Sequence, residues 1–311
     1  MDRLFLPEGI RVDYYENRQQ IGSVEGLREA MHEERILEAR AILCDAEHNL
    51  YVDLSEAGVK GVIPRQEGAL GIADGSTRDI ALIARVSKAV CFVVTDLRET
   101  EEGTVAILSR RRAQEICKRD YLETLLPGDI IPAKVTRLES FGAFCDVGCG
   151  LPALLPIAAL SVSRISHPAD RLAVGQEIPA VVTSTENGRI TLSQRELFGT
   201  WEENARLFSP GQTVAGIVRS VEPYGIFVEL TPNLAGLAEP HEGVKVGQAA
   251  GVFIKNILPE KMKVKLVIID SHFTLPARPN PRYFLTEGHI DRFEYSPPGC
   301  PKQIVSDFTK Y

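Results

Sequence analysis

Long apolar runs are the first thing missing from this 311-residue sequence, since nowhere does one reach membrane length. Nor does the chain open on a basic stretch followed by an apolar one, because MDRLFLPEG runs straight into a proline and a charge. A soluble, cytoplasmic protein without a membrane partner is expected. Cysteine is sparse: Cys44, Cys91, Cys117, Cys145, Cys149 and Cys300 are scattered, unlike the dense pattern of a secreted disulfide scaffold. Cys145 and Cys149 form the one close pair, but a metal site needs two more ligands, and the nearest histidine, His167, has no second partner at a recognisable spacing. Buried thiols are the expectation, with no metal and no cofactor.

Positive charge is also short. With 35 Lys and Arg against 42 Asp and Glu, the net charge of −7 excludes coating a duplex by charge alone. Single-strand binding stays open, because stacking carries much of its energy and a basic groove can be local. Catalytic signatures are missing too: there is no G-x-x-x-x-G-K-[ST] phosphate loop, no H-E-x-x-H and no G-x-S-x-G. Gly148-Cys149-Gly150 suggests a tight turn, and a lone cysteine there is weak evidence for a nucleophile. No enzymatic activity and no small-molecule substrate are expected.

What the sequence does have is a repeat. The stretch VEPYGIFVEL (221–230) restates RLESFGAFCDV (137–147), and an offset of 83 positions pairs Phe141 with Tyr224, Gly142 with Gly225, Phe144 with Phe227, Pro127 with Pro210 and Leu154 with Leu237. Each unit reads Pro-Gly, alternating apolar residues, the aromatic-Gly strand, then a short apolar strand, which is the period of half-buried strands. A hairpin turned at Glu186-Asn187-Gly188 closes the first unit, and one turned near Pro259 and Glu260 closes the second. Five strands in about seventy residues predict a small closed barrel.

A fainter third copy lies upstream. VKGVIP (59–64) stands where LPALLP (151–156) stands, but His48, Asn49, Leu50 and Tyr51 replace the aromatic-Gly-x-Phe strand. Helices are expected between barrels, at Arg111–Leu125 and in TWEE, where Thr200 and Glu203 have capping-box spacing and Trp201, Ala205 and Phe208 share a face. The tail, rich in proline with Phe273, Tyr283, Phe284, Phe293 and Tyr295, suggests an extended docked arm. The expected fold class is all-β: three tandem five-stranded antiparallel barrels of the OB kind joined by short helices. The expected boundaries are an N-terminal helical segment at 1–34, barrels at 35–115, 116–197 and 198–270, and the arm at 271–311.

GDIIPAKVTRLESFGAFCDVGCGLPALLP, followed by SRISHP and GQEIPAVV, resembles the RNA-binding domain named after ribosomal protein S-one. PGQTVAGIVRSVEPYGIFVELTPNLAGLAEP resembles a second such domain, and the upstream unit a degenerate third. The resemblance implies a binding patch of two aromatics, a histidine, an aspartate and an arginine. It puts the rings on Phe141 and Phe144 with Arg189, then on Tyr224 and Phe227 with Lys263 by chemistry rather than identity. The histidine position holds Pro156 and Glu239, and the aspartate position Thr185 and Pro259.

From the residues alone, two readings compete for the rings. Phe141 and Phe144 are an odd number apart, so a regular strand would send them to opposite faces as packing residues, whereas a bend at Gly142 would aim both outward to stack on bases. Lys261, Lys263 and Lys265 alternate along one side as a basic stripe. Arg164 and His167 touch phosphate or else structure their loop, and Arg110, Arg111 and Arg112 read as a solvated face. The functional expectation is a non-enzymatic binder of single-stranded, mRNA-like RNA connected with the ribosome, with proteins of the small ribosomal subunit as further partners. The rival is a docking module whose barrels have drifted toward protein contacts. RNA-contacting candidates are Phe141, Phe144, Arg164, Arg189, Tyr224, Phe227, Lys261 and Lys263.

Overall fold

The computed structural model describes residues 5–101, 103–273 and 281–309. It is mostly β, with three closed five-stranded barrels. The first comprises β1 (Leu37–Cys44), β2 (Leu50–Leu54), β3 (Val59–Ile63), β4 (Ala89–Thr100) and β5 (Gly103–Ser109). The second comprises β6 (Ile130–Glu139), β7 (Gly142–Asp146), β8 (Pro152–Pro156), β9 (Glu177–Ser184) and β10 (Ile190–Ser193). The third comprises β11 (Thr213–Glu222), β12 (Gly225–Thr231), β13 (Leu234–Ala238), β14 (Ala249–Leu258) and β15 (Lys263–His272).

The barrels are not wholly antiparallel, which corrects the expectation. In each, the third and fifth strands pair in parallel, with Gly61 opposite Ala106, Ala153 opposite Ile190 and Leu237 opposite Lys265. The cause is geometric. The fourth strand runs antiparallel to the first and the fifth antiparallel to the fourth, so the fifth points the same way as the third when the sheet closes on it. Among the described residues, closure gives every barrel strand a neighbour on both sides.

Contacts group the chain into two compact units, residues 1–125 with 146–152, and residues 126–145 with 153–311. In the first unit, α1 (Tyr15–Ile21) and α2 (Val24–His32) precede the barrel, and Leu27 and Ala30 of α2 join Ala41, Leu50, Val52, Ile63, Phe92 and Leu108 in its core. A short helix α3 (Ile80–Ile83) lies between β3 and β4. Helix α4 (Arg110–Asp120) starts on Ser109, whose Oγ accepts the Arg112 amide, and packs Ala113, Ile116 and Cys117 with Phe5, Cys91, Val93 and Cys149.

Arg110 corrects another expectation, because it is buried rather than solvated. Its Nε and Nη2 donate to Glu8 at 2.6 and 3.0 Å, and Arg85 reaches the same carboxylate at 3.0 Å. Burial alone would raise the Glu8 pKa, but Arg110, Arg85 and the Cys91 amide hold it below the usual carboxylate range. Arg111 pairs with Glu67 and Glu115, and Arg112 with Glu34.

In the second unit, the cap predicted at TWEE is present: Thr200 and Glu203 cap α5 (Trp201–Ala205) reciprocally. The link from β8 to β9 contains two 3-10 turns, whereas that from β13 to β14 has no helical turn. Glu229, on β12, is buried between Arg171 of the longer link, which donates from Nη1 and Nη2 at 3.1 and 3.0 Å, and Arg219. The arm residues from 281 onward include a small hairpin, β16 (Arg292–Glu294) with β17 (Val305–Asp307). Tyr283 stacks on Phe198, and Tyr295 is buried with its hydroxyl donating to the Asn233 carbonyl at 2.5 Å. Phe273 is exposed, at the end of the strand that precedes the arm.

Two predictions concern the first unit. Arg110→Met leaves the Glu8 carboxylate buried with one arginine instead of two, and urea denaturation should show a loss of about 3–5 kcal/mol. Burial, reinforced by the Glu8 charge, pushes Glu38 up from 4.5 to about 7 against the opposing Gly9 and Arg11 amides. Below 4.5 both the folded and the unfolded chain hold that proton, so the group costs nothing. As pH rises to 7 the unfolded chain releases it first and folding is penalised. Glu38→Gln should therefore raise stability at pH 8 by roughly 1–3 kcal/mol, with the gain shrinking toward pH 4.

Candidate nucleic-acid interface

Both aromatic pairs sit at the tip of a hairpin, and the hairpin resolves their odd spacing. Strand β6 ends at Glu139 and β7 begins at Gly142, so Phe141 is the second residue of a two-residue turn, outside the alternation of either strand. Tyr224 holds the same place between Glu222 and Gly225. The turn ring and the strand ring then meet: Phe141 and Phe144 lie 6.1 Å apart at 89°, Tyr224 and Phe227 6.3 Å apart at 86°. Phe141 is 54% exposed and Tyr224 67%, while Phe144 and Phe227 are half-buried. Edge-to-face contact keeps each pair together and leaves ring surface in solvent.

The intervening glycine serves close approach rather than the expected bend. A Cβ on Gly142 would lie 2.5 Å from the Leu155 carbonyl oxygen, and one on Gly225 2.5 Å from that of Ala238. The strand after the hairpin presses its backbone against this position in both barrels.

Around the rings, register decides which charges can share a ligand. Phe227 is opposite Leu237, and Leu237 is opposite Lys265, so ring, leucine and lysine form one row on the outer face. Lys263 follows two positions away, exposed on the same face. In the second barrel Leu154 is opposite Thr191, and exposed Arg189 precedes Thr191 by two, which gives Arg189 and Lys263 the same place. Lys261 departs from the expected stripe: it lies in the 3-10 turn Pro259–Lys261, cut off from β15 by the left-handed Met262. Arg164 is exposed on the β8–β9 link, beside Val162 and Ser163, whose amides donate to Asn233 and Pro232. His167 structures that loop, its Nδ1 accepting the Ala169 amide while Asp170 accepts the His167 amide.

Two residues at these faces were not singled out from sequence. Arg137 sits with its guanidinium carbon 4.8 Å from the Phe144 ring centroid, a cation–π contact. A two-residue turn at 140–141 puts Arg137 directly across from Phe144, so counting back from the turn would have found it. Tyr51 is the other. Leu43 opposes Tyr51 with a register slip after Ala41, as Ser220 opposes Phe227 with a slip after Val218, so Tyr51 stands at the Phe227 position. Lys60 lies over its ring at 5.2 Å. Its hydroxyl, however, donates to Asp45, and the preceding turn carries the smaller imidazole of His48 in place of a phenyl or phenol ring. Asn49, chiefly through its side-chain amide, holds Asp45 below the usual carboxylate range, so a negative charge sits beside Tyr51.

Residues 125–195 match the family described as the S1 RNA binding domain. The middle barrel belongs to that family. Among curated proteins, the chain is 29% identical to the small ribosomal subunit protein bS1 homolog of Bacillus subtilis, over 58% of this chain and 51% of that protein. It is 28% identical to the small ribosomal subunit protein bS1 of Streptococcus pneumoniae, over 85% of this chain and 72% of that one. The chain spans about half the length of the first curated relatives it matches. A solved multidomain protein with nucleic acid binding domains from Streptococcus pneumoniae is 15% identical, with a TM-score of 0.26, over 78% of this chain and 75% of that one. No helix among the described residues is long and apolar enough to cross a membrane.

With an acidic neighbour and only an imidazole on the turn, the first barrel should contribute little to RNA binding by its S1-like face. Tyr51→Ala should change affinity for an unstructured RNA less than twofold, read by fluorescence anisotropy. Deleting the first barrel outright is a poorer test, because residues 146–152 pack with it, Asp146 accepting the Glu8 amide and Gln114 donating to the Cys149 carbonyl.

Proposed function

We propose that this chain is a non-enzymatic binder of single-stranded, mRNA-like RNA, acting in the cytoplasm together with the small ribosomal subunit. In this reading the three barrels are tandem OB-type repeats, and the second and third carry the RNA sites. The observation that carries it is the recurrence, twice within one compact unit, of an exposed turn ring in edge-to-face contact with a half-buried strand ring, with a basic side chain on the same face. Bases stack on such rings whatever their sequence, and the cation meets the backbone. The S1 family match and the bS1 relatives support RNA as the ligand and the ribosome as the setting.

Two sites on one strand also bind better than one, because the second engages at the effective concentration set by the first. Phe141, Phe144, Tyr224 and Phe227 supply stacking, with Arg189, Lys263 and Arg164 on phosphates. Lys265 joins them through its row with Phe227. Lys261 contributes charge from the turn.

Each ring should be worth roughly 1–3 kcal/mol on truncation. The double variant Phe141→Ala with Phe144→Ala should then weaken binding of a twelve-residue oligouridylate by about 30-fold or more. With about two to four phosphate contacts, salt dependence should be shallow, near −0.7 per contact. Affinity titrated against salt, with circular dichroism to check folding, measures both. A folded aromatic variant that binds like the native chain would show that the rings serve packing and the site is misplaced, whereas a native chain that fails to bind oligouridylate would overturn the RNA reading itself.

A further inference from the structure

Each barrel has a second outward face, formed where its fourth and fifth strands pair, and the three copies differ there. Val93 opposite Ser109 in the first barrel corresponds by register to Val181 opposite Ser193 in the second and Phe253 opposite Val267 in the third. Val93 is fully buried with Phe5 and the Ala113, Ile116 and Cys117 face of α4. Val181 is fully buried with Leu197, Ile290 and Phe308. At the third copy Phe253 is 37% exposed, Val267 42% and Ile269 56%, with Thr213 and Ala215 also exposed alongside.

The serines explain the difference. Ser109 caps α4, and Ser193 donates to the Ala159 carbonyl and to Glu196 as the chain turns into the 3-10 segment Arg195–Phe198. In both barrels the strand ends at that serine and the chain folds back over the face. Val267 has no side-chain oxygen with which to cap a helix, and β15 runs on to His272. The cover is lost within the described residues, while the apolar surface it would protect has grown from valine to phenylalanine.

We propose that this face of the third barrel docks an acidic amphipathic helix of a protein partner. A helix fits because α4 covers the equivalent face of the first barrel with side chains spaced i, i+3 and i+4. The sign follows from complementarity. In the first barrel the covering helix is basic and its arginines meet Glu67 and Glu34. In the third, Lys255, Lys263 and Lys265 border the patch, against Asp270, which is tied to the Gly251 amide at 3.1 Å, and Glu239, 4.0 Å from Lys255. The same lysines oppose a face-to-face second copy, which would bring like charges together. Two aliphatic side chains to one ring make it a poor stacking surface for RNA.

The test uses the full chain and two synthetic amphipathic peptides with leucine at i, i+3, i+4 and i+7, one filled with glutamate and the other with lysine. Anisotropy should show the glutamate peptide binding at least tenfold tighter, although the chain's net charge of −7 favours the opposite. Phe253→Ser with Val267→Ser should weaken that binding at least tenfold and leave oligouridylate affinity within twofold. Serine at 267 is the residue both other barrels carry there. Lys255→Glu should narrow the peptide preference and decides the matter if the double variant fails to fold. The proposal is overturned if the native chain prefers neither peptide, if the double variant loses RNA affinity instead, or if the native chain sediments as a dimer that the double variant abolishes.

Discussion

A barrel of five short strands fills its interior with its own side chains, so whatever it recognises has to be read on the outside. In the second barrel Ile131, Val135, Ala143, Cys145, Leu155, Ile178, Val182 and Leu192 occupy that interior and are all buried. Half of every strand is therefore committed to packing, and function is confined to outward positions and to turns. The two-residue hairpin turn is where that confinement is relaxed. A ring on the turn is free of strand alternation and can lie beside the ring three positions later, which a continuous strand forbids.

The second unit adds a constraint on how its two ring pairs are held. Glu229 is enclosed by Arg171 from the second barrel and Arg219 from the third, with Asp170 3.7 Å from Arg219. Asn233 accepts the Val162 amide and donates to the Arg195 and Gly199 carbonyls. Buried ion pairs add little net stability, but a mismatched alternative would leave charges unpaired, so they select one arrangement. The arm reinforces it: Tyr283 stacks on Phe198 and bonds Gln194 near the second barrel, while Tyr295 joins the core of the third. In the function proposed above, a strand spanning both ring pairs would find them already oriented and spend less entropy in binding.

Much of this was legible in the sequence, for physical reasons. The 83-residue offset exposed the repeat because the first three strands of the second and third barrels keep the same spacing and the same two-residue hairpin turn. Thr200 and Glu203 announced α5 because a capping box is local. Parallel closure was missed because it is a property of the whole strand path, which no stretch of residues encodes. Arg110 looked solvated because its partner, Glu8, lies 102 positions away. Lys261 seemed to continue the stripe because alternation was extended through Met262, whose left-handed backbone breaks it. Tyr51 was hidden because its neighbours had drifted, and only pairing register shows which position it holds.

The three barrels together show how little sequence separates different outcomes on one scaffold. At the ring face, the second and third barrels set a turn aromatic against a strand aromatic beside Arg137 or Lys265, whereas the first has one tyrosine beside Asp45. At the pairing of the fourth and fifth strands, a serine ends the strand and a cover follows, whereas with valine the strand continues and the face is uncovered among the described residues. Neither change disturbs the barrel interior, because both sites lie on turns or on the outward half of the alternation. The constraint that confines function to the outside is also what lets each copy change partner without refolding, and it accounts for three barrels of one architecture presenting three different surfaces.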